Sequence, residues 1–142
     1  RLNRKFQTAA KLIPAPEINL TDKSNKAGLI YYGTTSAAIQ ETLDLLETKG
    51  IRVDTLRVRA FPFNGEVEQF IDNHETPFVI EQNRDGQLRT LLVNELEIHP
   101  KKLVKVLHYD GLPITARFIS TQVAEHLLGS SAKSSTKTVA SR

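Results

Sequence analysis

The sequence predicts an α/β fold, a mostly parallel sheet covered by helices on both faces. Short apolar runs alternate with segments of helical period through residues 27–129, separated by only a few polar or Gly/Pro residues. Such alternation implies right-handed crossovers between parallel strands. The apolar runs are also continuous rather than alternating, as suits strands buried on both sides.

Taken in order, Leu2, Phe6, Ala9, Ala10 and Ile13 recur at helical spacing until Pro14 and Pro16 stop the pattern. Residues 14–26 then read as an extended linker, so 1–26 is expected to be a helix and linker leaving a preceding domain. Ala27 to Tyr32 is a strand, closed by Gly33-Thr34-Thr35-Ser36. Ala38, Ile39, Leu43, Leu45 and Leu46 form a helix face that Gly50 ends. Val53 to Arg59 is strand-like, and Asn64 is the expected N-cap of a helix carrying Val67, Phe70 and Ile71. Pro77 opens the strand Phe78-Val79-Ile80, and Asp85-Gly86 turns into a helix with Leu88, Leu91, Leu92 and Leu96. Leu103 to Leu107 is a fourth strand. Ser120 is placed as the cap of a last helix bearing Val123, Leu127 and Leu128, which Gly129 should end.

The chain has 142 residues, 39% hydrophobic and 25% charged, enough for one domain with a core. It lacks methionine, so Arg1 is no translation start and a larger parent is expected. It also lacks cysteine, which excludes disulfides, a thiolate zinc site and an iron–sulfur cluster held by this segment. No apolar stretch reaches the ~20 residues of a membrane span, and no signal peptide heads the chain. A cytoplasmic protein without a membrane partner is expected.

The net charge of +3 is unevenly spread: residues 1–26 carry +4, 130–142 carry +3, and 27–129 carry −4. Ser130 to Arg142 holds seven Ser/Thr among thirteen residues and reads as a disordered, solvated basic tail rather than a nucleic-acid arm.

In open α/β sheets, ligands bind beyond the carboxyl ends of the strands, here the loops at Gly33–Ser36, Phe61–Gly65, Glu81–Gln87 and His108–Pro113. Gly33, Thr34 and Thr35 offer N–H groups and hydroxyls to an anion, or form an ordinary capped turn. Glu81, Gln82, Asn83, Arg84, Asp85 and Gly86 make a loop denser in charge than a plain connection needs. It either docks on a partner, with Arg84 pairing an anion, or is a solvated turn. Arg57 and Arg59 share a face and either grip a phosphate or carboxylate or meet acids such as Glu66 or Glu68. His108, beside Asp110 and Gly111, is either a proton carrier or structural. His74, His99, His108 and His126 have no metal-ligand spacing, and no nucleophile elbow is present. These residues alone describe a non-catalytic α/β module.

Four segments carry a family resemblance. They are Leu29-Ile30-Tyr31-Tyr32-Gly33-Thr34-Thr35, Leu56-Arg57-Val58-Arg59-Ala60-Phe61-Pro62-Phe63-Asn64, Phe78-Val79-Ile80-Glu81-Gln82-Asn83-Arg84-Asp85-Gly86-Gln87 and His108-Tyr109-Asp110-Gly111-Leu112-Pro113. They resemble the C-terminal domain of the alpha subunit of 2-oxoacid:ferredoxin oxidoreductases, and the last segment resembles the 2-oxoglutarate branch. The resemblance implies the transketolase C-terminal-domain fold, a three-layer α/β/α sandwich whose five-stranded sheet has one antiparallel edge strand. A fifth strand is then required, with Thr115 to Ile119 as its candidate.

The resemblance also implies a parent complex that oxidatively decarboxylates a 2-oxoacid to acyl-CoA and reduces ferredoxin. Thiamine diphosphate, Mg²⁺ and the iron–sulfur cluster would lie elsewhere in that complex. The partners implied are the preceding thiamine-type domain, the beta subunit, ferredoxin and coenzyme A. No catalytic, cofactor or metal residue carries over, so a structural and assembly role is expected. Other readings are the C-terminal domain of a transketolase or pyruvate dehydrogenase beta subunit, and a stand-alone anion or nucleic-acid binding module.

Overall fold

The computed structural model describes residues 2–22 and 25–136. Four parallel strands form most of the sheet: β2 (Ala27–Tyr32), β3 (Asp54–Val58), β4 (Thr76–Glu81) and β5 (Val104–Leu107). The fifth, β1 (Glu17–Asn19), pairs antiparallel with β3, in register Glu17 to Arg57 and Asn19 to Thr55. The sheet order is β1-β3-β2-β4-β5, so β1 is an edge.

The fifth strand therefore lies inside the stretch read as a linker, and not at Thr115–Ile119, where helix α5 (Ala116–Thr136) begins. Thr115 is the residue that starts this helix, its Oγ1 accepting from Phe118 N at 3.2 Å. Ser120, expected to cap it, sits within the first turns and donates to the Arg117 carbonyl. The helix also passes Gly129, since one interior glycine costs only about 1 kcal/mol. Its backbone thus takes in 130–136 of the basic tail, while 137–142 lie outside the described residues.

The helices α2 (Ser36–Glu47), α3 (Gly65–Asn73) and α4 (Gln87–Glu95) follow the parallel strands, and α1 (Leu2–Leu12) precedes β1. Two apolar cores make the three layers. On one face Leu29, Phe78 and Ile80 meet Ile39 and Leu46 of α2 and Ile119 and Val123 of α5. On the other, Ile30, Leu56 and Val79 meet Val67, Phe70 and Ile71 of α3 and Leu88 and Leu92 of α4. Alternate residues of one strand feed opposite cores, as the pleat requires.

Gly28 lets α3 sit close on β2. A Cβ there would lie 2.6 Å from the Phe70 ring and 3.2 Å from His74 Cγ. Both neighbours are buried, so the Phe70 ring would have to shift to admit it. Gly28→Ala is expected to destabilise the chain by roughly 2 kcal/mol in urea unfolding; a change below ~0.5 kcal/mol would show that the ring has room to move.

Candidate functional site

The strand order reverses at β2. The chain steps outward from β2 to β3, then returns across it to β4, and α2 and α4 leave on opposite faces. The crevice beyond the β2 and β4 ends is where this architecture places a ligand.

Gln82 occupies that junction. Its Nε2 donates to Thr34 Oγ1 at 3.1 Å and to Thr35 Oγ1 at 3.2 Å. Its Oε1 accepts from Ile114 N at 3.3 Å, so one side chain ties three loops together. Gly33, at φ +59, turns the chain, and Ser36 Oγ donates back to its carbonyl at 2.9 Å. The hydroxyls of Thr34 and Thr35 thus both engage Gln82, and Thr35 makes no side-chain cap bond to α2.

Glu81 ends β4 with 0% exposure. Its carboxylate accepts from Leu88 N at 2.7 Å, Arg89 N at 2.9 Å and Asn83 Nδ2 at 2.8 Å. The first two are orphan donors of the α4 N-terminus, where a negative charge is favoured. Asn83 Oδ1 in turn accepts from the N–H groups of Asp85, Gly86 and Gln87. Gly86 supplies the left-handed conformation, φ +66, that lets the chain enter α4. The dense loop is therefore a helix-start device. Its two exposed charges, Arg84 and Asp85, pair with each other at 2.7 Å.

Arg57 and Arg59 both reach Glu17 of β1, at 3.1 and 3.5 Å. Their counter-ion is this edge strand, not Glu66 or Glu68. Nearby, burial raises the Tyr31 hydroxyl above its ordinary pKa, against the opposing effects of its Thr55 hydrogen bond and Arg57.

His108 is anchored through its backbone, its N–H donating to the Glu81 carbonyl at 2.9 Å. Its Nε2 lies 3.3 Å from Asp110 Oδ2, its ring stands edge-on to Phe118, and its buried Nδ1 has no partner. Asp110 also accepts from Leu112 N, and Gly111 turns the loop at φ +90. The structure brings Thr34, Thr35, Gln82, Glu81 and Asn83 into one connected corner. Arg57, Arg59 and the His108–Asp110 pair have separate partners. Among the described residues no group of three or more His, Cys, Asp or Glu could hold a metal ion.

Beside the charged Arg84, Asp85 and Asp110, these loops also expose apolar side chains. Tyr32, Phe61, Tyr109 and Leu112 follow the ends of β2, β3 and β5, and the last two are 63% and 70% exposed. Adjacent strands lie about 4.8 Å apart, so the strand ends from β3 to β5 span roughly 15 Å.

At the opposite end of the sheet lies a network that local sequence patterns did not mark. Asp54 Oδ1 accepts from Thr21 N at 2.9 Å, Thr21 Oγ1 at 3.1 Å and Asn25 Nδ2 at 2.6 Å. Oδ2 lies 3.1 Å from Nε2 of His74, whose Nδ1 is 2.6 Å from the Phe70 carbonyl. Burial alone would raise the Asp54 carboxyl. Hydrogen bonds from the Thr21 backbone, Asn25, His74 and the Thr21 hydroxyl outweigh it and hold the group below its ordinary value. Asn64, the expected cap of α3, has cap backbone geometry but makes no side-chain cap hydrogen bond, its Nδ2 donating instead to Glu66 at 2.9 Å.

No family model matches the sequence. Over 116 residues it is 33% identical to subunit alpha of 2-oxoacid:ferredoxin oxidoreductase 2 from Aeropyrum pernix, covering 78% of this chain and 18% of that subunit. This relative is an oxidoreductase alpha subunit. The chain spans about a fifth of its length. The fold recurs in the 2-oxoglutarate:ferredoxin oxidoreductase of Magnetococcus marinus, with TM-score 0.74 and 22% identity over 84% of this chain and 21% of that one. It recurs in the alpha chain of a probable 2-oxoacid ferredoxin oxidoreductase from Thermoplasma acidophilum, with TM-score 0.53 and 22% identity. That match covers 80% of this chain and 97% of the other. No helix among the described residues is long and apolar enough to cross a membrane.

Proposed function

We propose that this chain is the C-terminal domain of a 2-oxoacid:ferredoxin oxidoreductase alpha subunit, of the 2-oxoglutarate type, and that its role is assembly rather than chemistry. The parent complex would decarboxylate the 2-oxoacid oxidatively, form the acyl-CoA and reduce ferredoxin. The observation that carries the role is the state of the carboxyl edge. The polar side chains of its central corner, Thr34, Thr35, Glu81, Gln82 and Asn83, are engaged in hydrogen bonds within the chain, while Tyr32, Phe61, Tyr109 and Leu112 are exposed. Such a surface fits protein docking better than it fits a reacting substrate.

The 33% identity to an alpha subunit supports the family. The His108-Tyr109-Asp110-Gly111-Leu112-Pro113 segment, and the similarity to a structure solved with 2-oxoglutarate, coenzyme A and succinyl-CoA bound, support the 2-oxoglutarate type. The donor set here does not fit the implied metal groups. There is no cysteine for a cluster and, among the described residues, no carboxylate or histidine group for a metal ion. On the family resemblance, thiamine diphosphate, Mg²⁺ and the cluster are assigned to the rest of a cytoplasmic complex. The docking partners are assigned as the preceding thiamine-type domain and the beta subunit, with ferredoxin and coenzyme A bound nearby.

The test is made in the full parent complex. Tyr109→Ser with Leu112→Ser is expected to weaken subunit association by about tenfold or more, with thermal stability nearly unchanged. Unaltered association would overturn the docking role, and turnover of 2-oxoglutarate by the 142-residue chain alone would overturn the non-catalytic one.

A further inference from the structure

We propose that Gln82 is a positioning residue of the docking edge. It holds the loop after β2 and the loop after β5 in the arrangement that a partner subunit meets. The inference deepens the docking role of Tyr32, Tyr109 and Leu112 and rests on it.

The loop after β5 is tied at both ends to consecutive residues at the end of β4. At its start, His108 N–H donates to the Glu81 carbonyl at 2.9 Å. At its far end, Ile114 N–H donates to Gln82 Oε1 at 3.3 Å. Tyr109 and Leu112 stand exposed on the stretch between these two ties. The other end of the same amide donates to the hydroxyls of Thr34 and Thr35, just beyond the exposed Tyr32. Gln82 therefore joins the two loops that flank its own strand, and it does so from a half-buried position.

A primary amide suits this position because it accepts at one end and donates at the other. The Ile114 N–H can only donate, so it fixes which end of the amide faces it. Thr35 is 2% and Ile114 7% exposed, and water does not readily replace a partner lost there. Loops ordered in advance spare a partner the cost of ordering them on binding. This role differs from that of Glu81, whose carboxylate serves the start of α4. Phe61 supplies an internal comparison: its ring stands edge-on to Phe63, 5.4 Å between centroids, and the Gln82 hydrogen bonds go to other loops.

The test compares two variants. Gln82→Met keeps the reach of the side chain and removes the donor and the strong acceptor. Gln82→Glu keeps an acceptor for Ile114 N–H, and the two threonine hydroxyls can turn to donate to it. In the isotope-labelled chain, Gln82→Met is expected to speed amide exchange at Ile114 by about tenfold and to shift the signals of Thr34, Thr35 and Leu112. The signals of Phe61 should stay in place. In the full parent complex, Gln82→Met is expected to weaken subunit association by about tenfold, and Gln82→Glu to stay within about threefold of wild type. Association is measured where the Leu29 and Val79 amides remain protected, so that a folding defect is not counted as a docking one. Wild-type exchange at Ile114 in Gln82→Met, or equal losses of association in the two variants, would overturn the proposal. So would normal association of Gln82→Met while Tyr109→Ser with Leu112→Ser weakens it, a result that leaves the docking role standing. If that double variant also associates normally, the docking role falls and the proposal falls with it.

Discussion

Glu81→Ala is expected to lower the stability of the chain by about 3 kcal/mol, the largest single loss among the residues of the candidate face. The side chain is wholly buried and is the acceptor for three donors, two of them N–H groups at the start of α4. Truncation leaves those N–H groups buried and unpaired, and each orphan costs about 1–3 kcal/mol. Asn83 loses its hold as well, and with it the turn that leads through Gly86 into the helix. Glu81→Gln is expected to recover only part of the loss. Its amide presents one acceptor where the α4 start supplies two donors, and its NH₂ then faces an N–H. Urea unfolding of the three proteins checks this, and an Ala variant within 1 kcal/mol of wild type would show that α4 starts without the carboxylate. The effect is one of folding. A loss of complex activity in Glu81→Ala would therefore report instability, whereas the Tyr109 and Leu112 variants report docking.

The contrast between Glu81 and its neighbours shows what local pattern can and cannot reveal. The central strands were legible because all of Leu29 to Tyr31 and Phe78 to Ile80 are buried, and continuous apolar runs record that burial directly. Glu81 adds no apolar character, so its run of polar neighbours reads as solvated when its first member is the most enclosed of them. β1 was illegible for the opposite reason. Its three residues are all exposed and hold their place through backbone pairing and the ion pairs to Arg57 and Arg59, none of which leaves periodicity. Missing β1 also hid the counter-ion of the arginine pair. The start of α5 was legible in principle: Ala116, Ile119 and Val123 are buried and extend the helical stripe back to Thr115. A hydroxyl at Ser120 is an equally good cap only if Ala116 and Ile119 are not counted with Val123 and Leu127. The Asp54–His74 pair joins residues 20 apart, and no local pattern announces it.

That pair carries the second large effect. Asp54→Ala is expected to cost about 3 kcal/mol at neutral pH, because it removes the acceptor of Thr21, Asn25 and a buried His74. The sign of its pH dependence follows from the direction of the shift. Hydrogen bonds hold the Asp54 carboxyl below its ordinary value, so the unfolded chain binds this proton more readily than the folded one. The stabilisation is therefore complete above the ordinary aspartate value of about 4 and is lost as the pH falls below it through the folded-state value. Wild type and Asp54→Ala should differ most near pH 7 and converge as acid protonates the carboxylate. Asp54→Asn separates charge from shape: its carbonyl still accepts from Thr21 and Asn25, while an uncharged NH₂ replaces the oxygen that faces His74 Nε2. It should lie between the two proteins at neutral pH and lack the steep acid limb that Asp54 contributes. Hydrogen exchange gives the location of the damage. The amides of Ile18 to Thr21 and of Asn25 should lose protection first, since Asp54 holds Thr21 and Asn25 to the sheet, while those of Leu29 and Val79 keep theirs until global unfolding. An Asp54→Ala protein with wild-type stability at pH 7, or a difference that widens in acid, would show that the carboxylate is not what holds the β1 segment in place.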